Sequence, residues 1–96
     1  MRCTVHIRKS FDYGGTHFVV RLFPSYCSEG GRKAETFTSE GTLARRLIGM
    51  GLPEIYAGRS LTNLRVGGDA SWTNVEIAEE TFESFGRIEC RVLLSA

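Results

Sequence analysis

Long apolar runs are the first thing this chain lacks. No hydrophobic stretch exceeds four residues, against the roughly 20 that a membrane-spanning helix needs. Met1 is followed at once by strand-like alternation, without the charged and apolar regions of a signal peptide. The expectation is a cytoplasmic protein with no membrane partner. Cysteine is sparse too. Cys3, Cys27 and Cys90 are odd in number and far apart, which fits neither a disulfide framework nor a CxxC zinc pair. Cys3 alternates with Val5 and Ile7, and Cys90 with Ile88 and Val92, so both read as reduced core thiols. Cys27 lies in a Ser/Gly-rich stretch and is the candidate exposed thiol. Phosphate loops of the GxxxxGK[ST] or GxGxxG type and a GxSxG elbow are absent; Gly49-Met50-Gly51 reads as a helix end. These gaps lead to an expectation of no catalytic residues, no cofactor and no metal site.

What is present is an ordinary globular composition, 42% hydrophobic and 24% charged, over 96 residues. That is one domain, residues 1–96, with no room for a second core. The charge is unevenly placed. Residues 69–96 carry six carboxylates against two arginines, a formal −4, whereas residues 1–68 carry ten Lys/Arg against five Asp/Glu, a formal +5. The net +1 conceals a dipolar molecule, and such patterning bears on partners and self-association, not on fold.

Alternation marks the strands. Cys3, Val5 and Ile7 oppose Arg2, Thr4, His6 and Arg8; Phe18, Val20 and Leu22 oppose His17, Val19, Arg21 and Phe23. The loop Ser10–Gly15, whose two glycines accept positive φ, joins strands at 2–9 and 16–23 in a hairpin. The shortest register that keeps both apolar sets on one side places Ile7 opposite Phe18, Val5 opposite Val20 and Cys3 opposite Leu22. A turn at 29–32 leads to a weaker strand near 33–38. Ser39 or Thr38 caps a helix near 39–50 with Leu43, Leu47 and Met50 on one stripe; Gly51 closes it and Pro53 prevents continuation. Leu61, Leu64 and Val66 suggest a strand at 61–66. Thr73 and Glu76 have capping-box spacing, with Trp72 and Ile77 as a staple, so a second helix is expected at 74–85. Ile88, Cys90, Val92 and Leu94 alternate in a last strand at 87–94, expected to be central. The fold class is α+β: an antiparallel or mixed sheet of four to five strands with two helices packed on one face. The expected core is Val5, Ile7, Phe18, Val20, Leu22, Leu43, Leu47, Phe82, Phe85, Ile88, Cys90 and Val92.

Two surfaces are candidates for partner binding. On a helix at 74–85, Glu76, Glu79, Glu80 and Glu83 would form one stripe without a cation, at a repulsive cost of about 1–2 kcal/mol summed over neighbours. The bland reading is a solvated face; the functional one is a docking strip for a protein with a basic surface. On the hairpin's outer face, Arg2, His6, Arg8, His17 and Arg21 gather with Phe23, near Phe11 and Tyr13. An exposed sheet face is polar in any case, but arginines beside aromatics suit phosphates and stacked bases. A two-histidine phosphodiesterase-type site is a weaker reading of the same face. Size and the absence of catalytic motifs class the chain with small inhibitors and adaptors of the phage or mobile-element kind, anti-CRISPR proteins among them. The expectation is therefore a non-enzymatic interaction module that binds a protein partner. The alternatives are a module that binds nucleic acid, or a nucleic-acid-bound complex, and a small enzyme or structural subunit.

Overall fold

The computed structural model describes residues 1–25 and 33–87. In chain order these form β1 (Arg2–Asp12), β2 (Gly15–Pro24), β3 (Lys33–Phe37), α1 (Glu40–Gly49), α2 (Glu54–Arg65), β4 (Ala70–Glu76), α3 (Glu79–Ser84) and β5 (Gly86–Arg87). The strands lie in the order β4-β1-β2-β3-β5, every pair antiparallel. The expected α+β class holds, with three helices in place of two. Among the described residues no helix is long and apolar enough to cross a membrane.

The hairpin keeps its predicted faces but not its predicted register. Ile7 pairs with Val20, Val5 with Leu22 and Cys3 with Pro24. Each is two residues from the expected partner, because the turn is centred one residue later, between Tyr13 and Gly14 and not between Asp12 and Tyr13. Asp12 pairs with Gly15, leaving only Tyr13-Gly14 between the strands. The Asp12 carboxylate accepts the Gly14 N–H at 2.9 Å, and Gly15 adopts φ +97°, which suits glycine. A shift of two preserves side-chain parity, so Cys3, Val5, Ile7, Phe18, Val20 and Leu22 all remain buried on one face. Burial also pushes the Cys3 thiol above its ordinary pKa.

β1 and β2 outrun their neighbours. β4 follows β1 only as far as the Ile7–Ala70 pair, and β3 follows β2 only as far as Phe18–Phe37. Residues 8–12 and 15–17 therefore project from the sheet as a two-stranded ribbon.

α1 forms where its capping signals place it. Ser39 Oγ accepts the Thr42 N–H at 3.2 Å, and Leu43 and Leu47 are fully buried. At the far end the Leu52 N–H donates to the Leu47 carbonyl and the Gly51 N–H to that of Ile48, with Gly51 at φ +112°. This pair of bonds is the Schellman closure.

The strand expected at 61–66 is instead the end of α2. Leu61 and Leu64 are three apart, which on a strand would put them on opposite faces. On a helix they join Ala57 and Ser60 in an i, i+3, i+4, i+7 stripe. Ala57, Ser60 and Leu64 are buried there.

The helix expected at 74–85 is also corrected. Residues 70–76 are β4, and only Glu79–Ser84 are helical. A capping box contributes on the order of 1 kcal/mol. Against it stands a free edge of β1, along which Ala70–Glu76 bond, burying Ala70 and Val75. Trp72, Thr73 and Val75 favour that extended state. β4 carries a bulge opposite Thr4: Cys3 pairs with Val75 and Val5 with Trp72. Asn74 takes up the extra residue at φ +57°, a conformation Asn tolerates better than most residues.

The helices cover the buried face, and a single hydrophobic cluster joins sheet and helices. All of the expected core residues up to Phe85 are in it, together with Phe37, Met50, Leu52, Ala57, Leu64, Ala70, Val75 and Ile77. Ile88, Cys90, Val92, the rest of the strand expected at 87–94, Cys27 and the turn at 29–32 lie outside the described residues. The described start of that strand, Gly86–Arg87, pairs with β3 on the side away from β2.

Candidate functional site

The side of the sheet opposite the core carries no helix among the described residues. Its side chains follow from parity: Arg2, Thr4, His6, Arg8 and Ser10 on β1, and His17, Val19, Arg21 and Phe23 on β2. The register seats His6 beside Arg21, Arg8 beside Val19, Thr4 beside Phe23 and Ser10 beside His17. All five basic candidates of the sequence are thus on one face, two residues displaced from the pairings first inferred.

Carboxylate neighbours divide these basic residues into two groups. His6 Nε2 lies 3.2 Å from Asp69 Oδ2, and His17 Nε2 lies 3.5 Å from Asp12 Oδ2. Arg2 Nε is 3.8 Å from Glu76 Oε1, a loose and exposed pair. Arg8 and Arg21 have no ion pair among the described residues. They occupy diagonal positions on adjacent strands, which puts their backbones about 7–8 Å apart. Two unneutralised guanidinium groups at that spacing favour an anion with extended charge.

The same register separates the histidines. His6 and His17 are four strand positions apart, because His17 pairs with Ser10. At about 3.4 Å per residue that is roughly 14 Å along the strands. A paired acid and base acting on one phosphodiester must both reach it within hydrogen-bonding distance, and this spacing does not allow it. Among the described residues no group of three His, Cys, Asp or Glu is placed to hold a metal ion. A cavity of about 310 Å³, lined by Phe37, Thr42, Arg45, Arg46 and Gly49, lies on the helix side and not on this face.

The acidic candidates are dispersed. Glu76 ends β4, where the Met1 ammonium donates to its Oε2 at 2.9 Å and, with Arg2 nearby, holds the carboxyl below its ordinary pKa. Glu83 accepts from Lys33 Nζ at 3.3 Å, across from β3. Glu79 and Glu80 occupy the first turn of α3, where negative charge suits the helix dipole. The stripe expected on one helix is therefore shortened: Glu76 is on a strand, and of the three carboxylates left on α3 Glu83 is paired with a cation.

Sequence reasoning missed the polar contacts that seat α3. Arg46 donates to Glu35 at 3.1 Å and to Ser84 Oγ at 2.7 Å, and its guanidinium lies 4.5 Å from the Phe85 ring centroid. Lys33 lies 5.4 Å from the Phe82 centroid. Asp69 and Asp12 were also missed as histidine partners. Asp12 had a local signal in its Asp-x-Gly turn spacing; Asp69 reaches His6 only through the β1–β4 pairing, which no local pattern announces. No family model, curated protein or solved structure matches this chain.

Proposed function

We propose that the protein is a non-enzymatic binding module that holds nucleic acid against the face of its sheet opposite the described helices. The supporting observation is that Arg2, Arg8, Arg21, His6 and His17 share the face that no described helix covers, with Arg8 and Arg21 free of carboxylate partners among the described residues. Arginine suits phosphate because its planar fork donates two parallel hydrogen bonds. Fluorescence anisotropy with labelled oligonucleotides at low salt tests the reading. Binding that weakens steeply with added salt is expected, and no binding to any oligonucleotide overturns it.

A protein partner is the second reading. Glu79 and Glu80 are exposed on α3 and have no cation partner among the described residues, which would suit a protein with a basic surface. On that reading the module is an inhibitor or adaptor. The strip is narrower than the sequence implied, with Glu83 already held by Lys33. The fuller cluster of free charge is the basic one.

A further inference from the structure

The projecting ribbon carries two aromatic side chains that stand outside the described core. Phe11 is 80% exposed and Tyr13 is fully exposed. Phe11 pairs with Thr16 on the same ribbon face as Lys9, while Arg8, Ser10 and His17 take the opposite one. The core ends at Ile7 and Phe18, so nothing among the described residues packs on the tip. Leaving an aromatic ring in water forgoes a large part of the free energy its burial would release. Here one such ring precedes a tight turn and the other lies in it, within a few residues of Arg8 and Lys9. The turn is braced by the Asp12–Gly14 hydrogen bond and by the His17–Asp12 contact, so the rings are carried on a short, ordered arm.

Resting on the nucleic-acid reading above, we propose that the ribbon tip is a base-stacking site: Phe11 and Tyr13 pack on the faces of unpaired bases, and the ligand is single-stranded. Aromatic rings stack on any base, because every base has a π-face. In a single strand those faces are accessible. In a duplex they become so only after a step is unstacked, which proteins achieve by repaying the cost with a large wrapped and strongly basic surface. This chain has a net charge of +1 and three unpaired cations, Arg8, Lys9 and Arg21, on the described ribbon and the sheet face beside it. That is little with which to open a duplex, and enough to hold a flexible strand whose bases reach the tip.

The experiment is anisotropy with a labelled single strand and with its duplex, on wild type and on Phe11→Ala, Tyr13→Ala, Phe11→Trp and Phe11→Leu. Neither side chain is packed, so the variants fold, which circular dichroism verifies. The single strand is expected to bind more tightly than the duplex. Each alanine should weaken it about tenfold with no change in salt slope; Trp should retain binding and Leu should not. A strand containing 2-aminopurine should be quenched by wild type and not by the double alanine variant. Single-strand binding that is indifferent to all tip substitutions, or a preference for duplex, overturns this inference and leaves the basic face standing. Absence of any binding by wild type overturns both.

Discussion

Trp72 lies flat on Tyr56, their ring centroids 4.4 Å apart and their planes within 5°. The Trp72 indole N–H donates to Ser60 Oγ at 2.8 Å, and the Ser60 hydroxyl in turn donates to the Tyr56 carbonyl. One aromatic stack and one buried hydroxyl therefore fasten β4 to α2. Trp72→Ala should lose about 2–4 kcal/mol in denaturant titration, somewhat less than a fully buried tryptophan because the ring is partly exposed. Ser60→Ala should lose about 1–2 kcal/mol, since it strands a donor against the helix. A change under about 0.5 kcal/mol for Trp72→Ala would mean that this stack contributes nothing to the α2–β4 contact.

Charge reversal on α3 should separate its carboxylates. Glu79→Lys and Glu80→Lys are expected to shift stability by no more than about 0.5 kcal/mol. Glu83→Lys is expected to cost about 1–2 kcal/mol, because it sets a second ammonium against the largely buried Lys33. Urea midpoints of the three variants make the comparison. Equal effects would mean that the Lys33–Glu83 pair does not help to seat α3.

Gly51→Ala should destabilise by about 1–2 kcal/mol from its positive φ alone. A Cβ there would also meet the Glu76 carbonyl oxygen at 3.0 Å, which adds to the loss. Thermal unfolding followed by circular dichroism reports it. Gly67→Ala has open space around the added carbon and φ +91°, so it isolates the conformational part.

Acid should weaken the fold through two exposed carboxylates. Arg65 hydrogen-bonds both oxygens of Glu40, at 2.7–3.2 Å, and holds its carboxyl below the ordinary 4.5. Glu76 is lowered in the same sense by the Met1 ammonium. A carboxylate with a depressed folded pKa contributes stability that is fully present above its unfolded value and is lost as pH falls through the folded one. The loss therefore belongs below 4.5. Glu40→Gln should flatten part of that acid limb in urea midpoints measured against pH. An unchanged limb would show that the Arg65 contact is not made in solution.

Arg8→Ala and Arg21→Ala should each weaken oligonucleotide binding uniformly across sequences. Each should also reduce the slope of log affinity against log salt by about 0.7–0.9, the signature of one lost phosphate contact. An unaltered slope in the double variant would remove the sheet face from the interface.

What could be read from the chain was local. Parity settled which faces of β1 and β2 are buried, and Gly51-Leu52-Pro53 announced a Schellman closure that the hydrogen bonds reproduce. The misreadings at 61–66 and 74–85 share a cause. Leu64 and Val66 imitate alternation although Leu61 and Leu64 have helical spacing, and the capping box at Thr73–Glu76 is a local signal that carries no information about the partner overriding it. That partner, the edge of β1, lies some seventy residues earlier: Arg2 pairs with Glu76 and Ile7 with Ala70. The candidate site inherits the same division. Its basic residues could be read from strand parity alone. The carboxylate beside His6 and the absence of one beside Arg21 among the described residues depend on which strands meet.

The ribbon's independence from the core makes its reach adjustable. The buried face ends at Ile7 and Phe18, and only the parity of the hairpin is tied to it. Adding two residues to each arm would leave every core partner in place while moving the aromatic tip outward by about 7 Å. Adding one would turn the tip over and present Lys9 and Phe11 where Arg8 and His17 now stand. In a scaffold of this kind, arm length in even steps is a parameter that variation can change without first destabilising the domain, and relatives that differ in footprint on a strand should differ there.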